Sequence, residues 1–270
     1  MKPADEQTLS QPARKVGLYA AYKWILVAPL LVFSTALFGS IIILISFLGA
    51  PDFASRVFGP IWAKLNAAVS LIAVKTKGLE HIVPGQSYIV VANHQSLIDI
   101  YLLYGYLGLE IKWVMKQELR AVPVLGLACE MMGHVIIDRS NTEAALASME
   151  RARARIKQGM SVVFFAEGTR SRNGELLPFK KGAFRMAQEL KLPILPVTIH
   201  NTFNILPSDT VDLRPGLARM TIGAPISIFD DTSNPPEQTG MTGQSARTVK
   251  SLETLTAEVW HRISGTLDKG

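Results

Sequence analysis

The chain of 270 residues contains a single cysteine, Cys129, so no disulfide bond can form within it and no cysteine cluster can hold a metal ion. Cys129 also lacks a neighbouring motif that would polarise its thiol, which favours an inert, packed side chain. Four of the five histidines stand apart without the spacing of metal ligands: His81, His134, His200 and His261. We therefore expect no metal and no bound cofactor.

Two further absences narrow the function. The sequence has no Gly-x-Ser-x-Gly motif, which argues against a hydrolase with a nucleophile elbow. It also has no zinc-finger spacing or other nucleic-acid signature, although the net charge is +6. The arginine-rich residues 151–155 fall in a helix predicted for residues 142–158, where they indicate a solvated basic face or, as the alternative, a contact with lipid headgroups.

One long apolar run is present, since residues 24–50 include no charged side chain. As a helix this run would extend about 40 Å, enough to cross a hydrocarbon core of about 30 Å when tilted. A buried helix of a soluble protein and a cleaved signal peptide are the alternatives. A buried helix is disfavoured because the run is apolar on every face. A signal peptide is disfavoured because the run begins only at residue 24 and is longer than the apolar region of a signal peptide. Basic residues flank both ends, so the positive-inside rule does not choose a topology.

The rest of the chain predicts one α/β domain. Residues 53–74 have the apolar spacing of one helical face, which either lies in the membrane interface beside the first segment or packs on the catalytic domain. We divide the chain into N-terminal membrane-associated helices (1–75), an α/β catalytic domain (76–230), and a linker with a packed C-terminal amphipathic helix (231–270). The expected fold is a single mixed sheet flanked by helices, with strands near residues 88–92, 111–115, 134–137, 161–166, 194–199 and 218–223.

The first chemical motif is Asn-His-Gln-Ser-Leu-Ile-Asp at residues 93–99, directly after a predicted strand. Ligands of α/β folds bind beyond the carboxyl ends of strands, where a neutral imidazole can accept a proton near pH 7. Within one helix His94 and Asp99 would point about 140 degrees apart. A capping box from Ser96 to Asp99 resolves this, because it leaves His94 in the preceding loop and Asp99 in the first turn. The alternative is a simple helix cap beside an ordinary loop histidine.

The second motif, Glu167-Gly168-Thr169-Arg170, also follows a predicted strand. Glycine permits close backbone approach, the threonine hydroxyl can donate, and Arg170 or Arg172 can hold a phosphate with two parallel hydrogen bonds. The alternative is a surface turn closed by the Asn-Gly pair at residues 173–174.

Together these motifs resemble the glycerophospholipid acyltransferase family, most closely its bacterial 1-acylglycerol-3-phosphate acyltransferases. Two weaker blocks support the resemblance: Lys116, Leu119, Pro123 and Gly126, and then residues 192–197 (Leu-Pro-Ile-Leu-Pro-Val). The resemblance implies that His94 is the general base and Asp99 its partner. It also implies that Lys116 and Glu167, Gly168, Thr169 and Arg170 bind the glycerophosphate of the acceptor.

The implied activity is transfer of an acyl group from a thioester to the free hydroxyl of lysophosphatidate, giving phosphatidic acid. The thioester, acyl carrier protein or coenzyme A, would be a co-substrate, and the net charge of +6 suits an anionic membrane or an acidic carrier. The resemblance further implies a bacterial inner-membrane enzyme with its catalytic domain on the cytoplasmic side. Glycerol-3-phosphate, another lysophospholipid or an aminolipid as acceptor, or a non-catalytic lipid-binding protein, are the alternatives.

Overall fold

The computed structural model describes residues 13–137, 156, 159–230 and 248–268. Within these residues seven strands form one sheet: β1 (Ile72–Lys77), β2 (Ile89–Ala92), β3 (Glu110–Lys116), β4 (Val135–Ile137), β5 (Met160–Phe165), β6 (Ile194–His200) and β7 (Gly216–Ile222). Their spatial order is β1-β7-β6-β2-β5-β3-β4. Only the β6–β7 pair of this sheet is antiparallel, which confirms the predicted mixed sheet.

Helices precede the sheet and cover both of its faces. They are α1 (Ala13–Tyr22), α2 (Ala28–Phe47), α3 (Pro51–Val69), α4 (Ile98–Tyr106), α5 (Leu125–Met131), α6 (Gly182–Leu190), α7 (Thr202–Ile205) and α8 (Leu252–Leu267). A π-helical turn, Lys23–Val27, joins α1 to α2, and short 3₁₀ turns occupy Leu79–His81 and Gln117–Ala121. The predicted helix at 142–158, apart from Ile156, and the whole of the predicted linker at 231–245 lie outside the described residues.

Strand β2 is buried on both faces, as its continuous apolar sequence requires. Val90 and Ala92 face a cluster shared with α3 and α4, whereas Ile89 and Val91 face a cluster shared with α6 and α8. The C-terminal helix belongs to this second cluster through Leu255, Val259 and Ile263, all fully buried. The prediction that the C-terminal stripe packs on the domain is therefore confirmed.

Strand β1 is an element that the sequence pattern did not reveal. Residues 72–74 were assigned to the end of an amphipathic helix, but α3 ends at Val69 and Leu71 adopts a left-handed conformation with φ of 56°. From Ile72 onward the chain is extended and pairs in parallel with β7. The predicted domain boundary between residues 75 and 76 therefore falls inside a strand of the sheet.

The N-terminal helices have an unusual surface. Gly17–Phe47 forms one helical stretch of 31 residues that is apolar and long enough to cross a membrane. In α2 the buried residues are Ser34, Gly39, Ile42 and Ser46, whereas five large apolar side chains are exposed: Val32, Phe33, Leu37, Leu44 and Phe47. Ser34 donates to Asn66 of α3 at 2.7 Å, and a Cβ at Gly39 would lie 2.6 Å from Val124, next to α5. Small residues together with Ile42 thus form the buried contacts of α2, while several of its large apolar residues remain exposed.

Candidate active site

The sheet brings the two motifs to one edge. Strands β2, β3 and β5 are parallel neighbours, so their carboxyl ends lie together. His94 follows β2, Lys116 ends β3, and Glu167 follows β5. The loops are in direct contact, because the backbone N–H of Ser171 donates to the carbonyl oxygen of His94 at 2.8 Å. Arg170 therefore directly precedes Ser171, the residue that is hydrogen-bonded to the backbone of His94.

His94 and Asp99 form the expected pair. His94 Nδ1 lies 2.8 Å from Asp99 Oδ2, and a carboxylate can only accept, so Nδ1 carries the proton. Nε2 then has a free lone pair, and no hydrogen bond to it occurs within the described ranges. The imidazole stacks on Phe165 with ring centroids 3.7 Å apart and planes inclined by 8°. Two contacts thus fix the ring and orient Nε2 to accept a proton.

Asp99 is fully buried and its oxygens are saturated with donors. Oδ2 also accepts from the backbone N–H groups of Gln95 and Ser96, at 2.7 and 2.9 Å, and Oδ1 accepts from the Thr202 hydroxyl at 2.5 Å. This is the carboxylate half of the predicted capping box, and Asp99 is in the first turn as expected. The regular helix begins at Ile98, however, and the Ser96 hydroxyl accepts from Ile98 N–H rather than from Asp99 N–H.

Glu167 joins the two motif loops through the backbone. Its Oε1 accepts from the backbone N–H of His94 at 2.6 Å, and its Oε2 accepts from the backbone N–H of Leu177 at 2.9 Å. The described contacts of Glu167 include none with Arg170, which donates to Asp209 instead. Burial raises the pKa of Glu167 to about 7, against the lowering effect of the two backbone hydrogen bonds.

The raised pKa of Glu167 predicts a pH-dependent stability. Because the folded-state pKa of about 7 exceeds the ordinary value of 4.5, the folded protein binds this proton more tightly than the unfolded chain. Stability from this group is fully present below the ordinary pKa and is lost as the pH rises through the folded pKa. We expect the free energy of unfolding, taken relative to Glu167→Gln, to fall across this interval and to level off above it. Urea unfolding at a series of pH values measures this difference, and a pH-independent difference would contradict it.

Arg170 is the more buried of the two arginines in the second motif. Its side chain is 29% exposed and donates to Asp209 Oδ1 at 3.1 Å, whereas the Arg172 side chain is 88% exposed. Gly168 has φ of 75°, and a Cβ there would lie 2.8 Å from Lys180 Cε, so the loop needs glycine and places the Lys180 side chain over it. Thr169 is exposed. The second motif is thus a shaped loop with cations at its surface.

The block from Lys116 to Gly126 lies beside this edge. Lys116 is exposed at the carboxyl end of β3. Gly126 is needed for packing, because a Cβ would lie 2.2 Å from the carbonyl oxygen of Arg120. Lys116 lies at the same edge of the sheet as the two motif loops, but its side chain has no described contact with the His94 or Arg170 loops.

Sequence reasoning missed three site residues. Thr202 donates to Asp99, Phe165 supports the imidazole, and Ser208 donates to the carbonyl oxygens of Gln95 and Ser171 at 3.2 and 2.5 Å. One signal was available for Thr202, since it follows β6, a parallel neighbour of β2, at the same edge of the sheet. No local pattern distinguishes Ser208.

Two titratable groups outside the motif loops, Cys129 and His134, lie in packed surroundings. Cys129 is buried, and burial raises the pKa of its thiol to about 12, which keeps it protonated. His134 is buried beside Tyr104, and burial followed by the nearby Lys112 charge lowers its pKa to about 3. In the part of the chain that the structure describes, no three His, Cys, Asp or Glu side chains cluster as metal ligands would.

Comparison with known proteins agrees with this geometry. Residues 73–200 match the family model described as acyltransferase. The chain is 39% identical over 176 residues to the chloroplastic 1-acyl-sn-glycerol-3-phosphate acyltransferase BAT2 of Brassica napus, covering 63% of this chain and 51% of that protein. It is 40% identical over 129 residues to human 1-acyl-sn-glycerol-3-phosphate acyltransferase alpha, covering 47% and 46% of the two chains. The chain thus spans about half the length of these curated relatives.

A solved structure extends the similarity over nearly the whole fold. The crystal structure of the 1-acyl-sn-glycerophosphate acyltransferase PlsC from Thermotoga maritima superposes with a TM-score of 0.71 at 25% identity, covering 95% of this chain and 97% of that one. The family-model match includes β2, β3, β5 and β6 together with the loops that follow β2, β3 and β5. The chain therefore contains a domain of the acyltransferase family, which spans residues 73–200 and carries His94, Asp99 and Arg170.

Proposed function

We propose that this chain transfers a fatty acyl group from a thioester to the free hydroxyl of 1-acylglycerol-3-phosphate, producing phosphatidic acid. The observation that carries the proposal is the hydrogen bond of 2.8 Å between His94 and Asp99. The loop that holds His94 is itself hydrogen-bonded to the segment that holds Arg170. A proton acceptor and a cation on two loops in direct contact suit an acceptor that has both a hydroxyl and a phosphate. The names of the relatives and of the PlsC structure favour this acceptor over others.

The chemistry needs one proton relay and no covalent enzyme intermediate. His94 Nε2 accepts the proton of the acceptor hydroxyl as that oxygen attacks the thioester carbonyl carbon. The buried Asp99 carboxylate stabilises the imidazolium that forms. When the tetrahedral intermediate collapses, the C–S bond breaks and the imidazolium returns the proton to the departing thiolate. An ester and a free thiol result, and His94 is again neutral.

The structure narrows the choice of oxyanion donors. The tetrahedral oxyanion needs hydrogen-bond donors, and the backbone amides near the start of α4 and the Lys116 ammonium group are the candidates. The backbone N–H groups of Gln95 and Ser96 already donate to Asp99, and that of Ile98 donates to the Ser96 hydroxyl. These three amides are therefore engaged. Lys116, exposed at the end of β3 on the far side of β5 from β2, remains a candidate donor.

Arg170→Ala should weaken use of the phosphorylated acceptor. A guanidinium on phosphate makes charge-assisted hydrogen bonds worth about 1.5–3 kcal/mol, so we expect KM for lysophosphatidate to rise about 10- to 100-fold. The KM for the thioester donor should change little, because the acyl end of the donor has no phosphate for Arg170 to bind. Steady-state kinetics with each substrate varied in turn measures both values. An unchanged KM for the acceptor would remove Arg170 from the phosphate site.

We further propose that α2 anchors the enzyme in a bilayer, with the bacterial inner membrane and a cytoplasmic catalytic domain as the expected setting. The support is the outward exposure of large apolar side chains, including Val32 and Phe33 at 72% and 63%. Replacing both with lysine should lower the membrane-bound fraction, because each lysine at mid-bilayer costs about 2.5–3.5 kcal/mol. Liposome flotation measures this fraction. Val249→Lys, at an exposed apolar residue outside α2, is the matched control, and equal flotation of both variants would reject the anchor.

A panel of substrates tests the function as a whole. The purified chain in detergent micelles is given acyl-CoA or acyl carrier protein thioesters with lysophosphatidate, glycerol-3-phosphate, a neutral lysophospholipid or an aminolipid. Mass spectrometry of the lipid product identifies the acceptor and the donor together. We expect phosphatidic acid from lysophosphatidate as the fastest product. A different preferred acceptor would replace the proposed substrate, and no product with any pair would overturn the activity.

A further inference from the structure

Residues 206–210, just after α7, form a segment that contacts both motif loops. The Ser96 hydroxyl donates to the carbonyl oxygen of Leu206 at 2.7 Å, and Ser208 donates to carbonyl oxygens of both loops. Next to Ser208, the Asp209 carboxylate lies 3.1 Å from a terminal nitrogen of Arg170 and 3.4 Å from Nε of Arg172. Asp209 belongs to neither sequence motif, yet it pairs with the arginine proposed to bind phosphate.

The contact between Asp209 and Arg170 is made at a single point. One carboxylate oxygen meets one terminal nitrogen of the guanidinium, and the other oxygen faces Arg172. A guanidinium has five N–H donors in a planar arrangement, so this contact leaves most of them available. Phosphate recognition uses two parallel donors from one edge of the guanidinium. The geometry therefore allows Arg170 to hold Asp209 and an anion at the same time.

The site also supplies the rigidity that such positioning requires. Asp209 adopts φ of 60°, a left-handed conformation that Asp and Asn tolerate better than most residues. The segment is held there by Ser208 and by the Thr210 hydroxyl, which donates to the Pro207 carbonyl oxygen at 2.9 Å. A free arginine side chain loses considerable rotamer freedom when it binds a ligand. An arginine held beforehand by a fixed carboxylate loses less, which favours binding.

We propose that Asp209 is a positioning residue for the acceptor phosphate: it holds the Arg170 guanidinium so that its remaining donors face the phosphate group. This inference rests on the proposed function, in which Arg170 binds that phosphate. Asp209 itself touches no substrate. Its negative charge opposes the phosphate, but its side chain is 57% exposed, so water and salt screen that repulsion. The gain from holding Arg170 outweighs the screened repulsion, and removing the carboxylate should therefore weaken acceptor binding.

Asp209→Asn is the test variant, because asparagine keeps the size of the side chain and tolerates the left-handed backbone. We expect KM for lysophosphatidate to rise roughly three- to tenfold, the range for immobilising one long side chain, while kcat changes less than twofold. The matched control is Asp212→Asn, which removes the other carboxylate of this region. Asp212 pairs with the exposed Arg214 and contacts neither motif loop, so its KM should equal that of the unchanged protein.

A second background shows whether Asp209 acts through Arg170. In the Arg170→Ala protein, adding Asp209→Asn should leave KM unchanged, since the group to be positioned is gone. Two results would overturn the proposal: an unchanged KM in Asp209→Asn, or a lower KM, which would mean that the carboxylate competes with phosphate for Arg170. A normal KM in Arg170→Ala alone would instead reject the phosphate assignment beneath it, and absence of acyl transfer by the unchanged protein would reject the proposed function.

Discussion

His94→Ala should lower acyl transfer about 10²- to 10⁴-fold, the range that a positioned general base contributes. The imidazole is held by Asp99 and by Phe165, and alanine has no group that can accept a proton in its place. Asp99 keeps its two backbone donors and Thr202, and the fold should therefore persist. The measurement is the initial rate of phosphatidic acid formation, alongside thermal unfolding and membrane retention.

The control for His94→Ala is His261→Ala. His261 is an exposed histidine on α8 whose ring packs against Trp260, outside the motif loops. Its substitution should leave the rate and the membrane-bound fraction unchanged. A His94→Ala protein that retained activity within a few-fold of the unchanged protein would reject the assignment of His94 as general base.

Asp99→Asn should cause a loss of similar size, on the order of 10³- to 10⁴-fold in kcat, as is seen when the carboxylate behind a catalytic histidine becomes an amide. Four donors point at this carboxylate: His94 Nδ1, two backbone N–H groups and the Thr202 hydroxyl. An asparagine can turn its oxygen toward the first three and its NH₂ toward Thr202, whose hydroxyl can accept. Folding should therefore survive, while the negative charge that stabilises the imidazolium is lost.

Thr202→Val separates charge from packing at Asp99. It removes the donor to Oδ1 and leaves the carboxylate charge in place, so we expect kcat to fall by less than tenfold. Rates and urea unfolding of both variants give the comparison. If Asp99→Asn kept a tenth or more of the activity, or if both variants lost activity in proportion to stability, Asp99 would have only a structural role.

Much of the site followed from simple rules of chain geometry. Polar residues after buried strands meet at one sheet edge, which placed His94 and Glu167 correctly relative to the sheet. Helical periodicity excluded a shared helix for His94 and Asp99 and required the loop that the structure shows. Hydropathy identified the apolar N-terminal helix. Which face of that helix points outward is known only from the exposed side chains in the structure.

Other features depend on partners that are remote in sequence. Residues 72–74, the first half of strand β1, were assigned to a helix because the strand pairs with β7, more than a hundred positions away, and a local pattern carries no information about that pairing. The partners of Glu167 are backbone N–H groups, which every non-proline residue possesses. The residue types in the sequence therefore could not predict them. Asp209 is an ordinary surface carboxylate by sequence, and only its proximity to Arg170 makes it informative.

The sequence by itself determined the chemistry that is available: a histidine and a carboxylate beside a strand end, an arginine loop after a second strand, and an apolar helix. These follow from side-chain type and from short-range periodicity, which act over a few residues. Only the tertiary structure decided which groups meet, namely Thr202 with Asp99, Glu167 with the His94 loop, and Asp209 with Arg170. The physical reason is that long-range pairing is selected by the packing of the whole sheet, in which most buried donors find an acceptor.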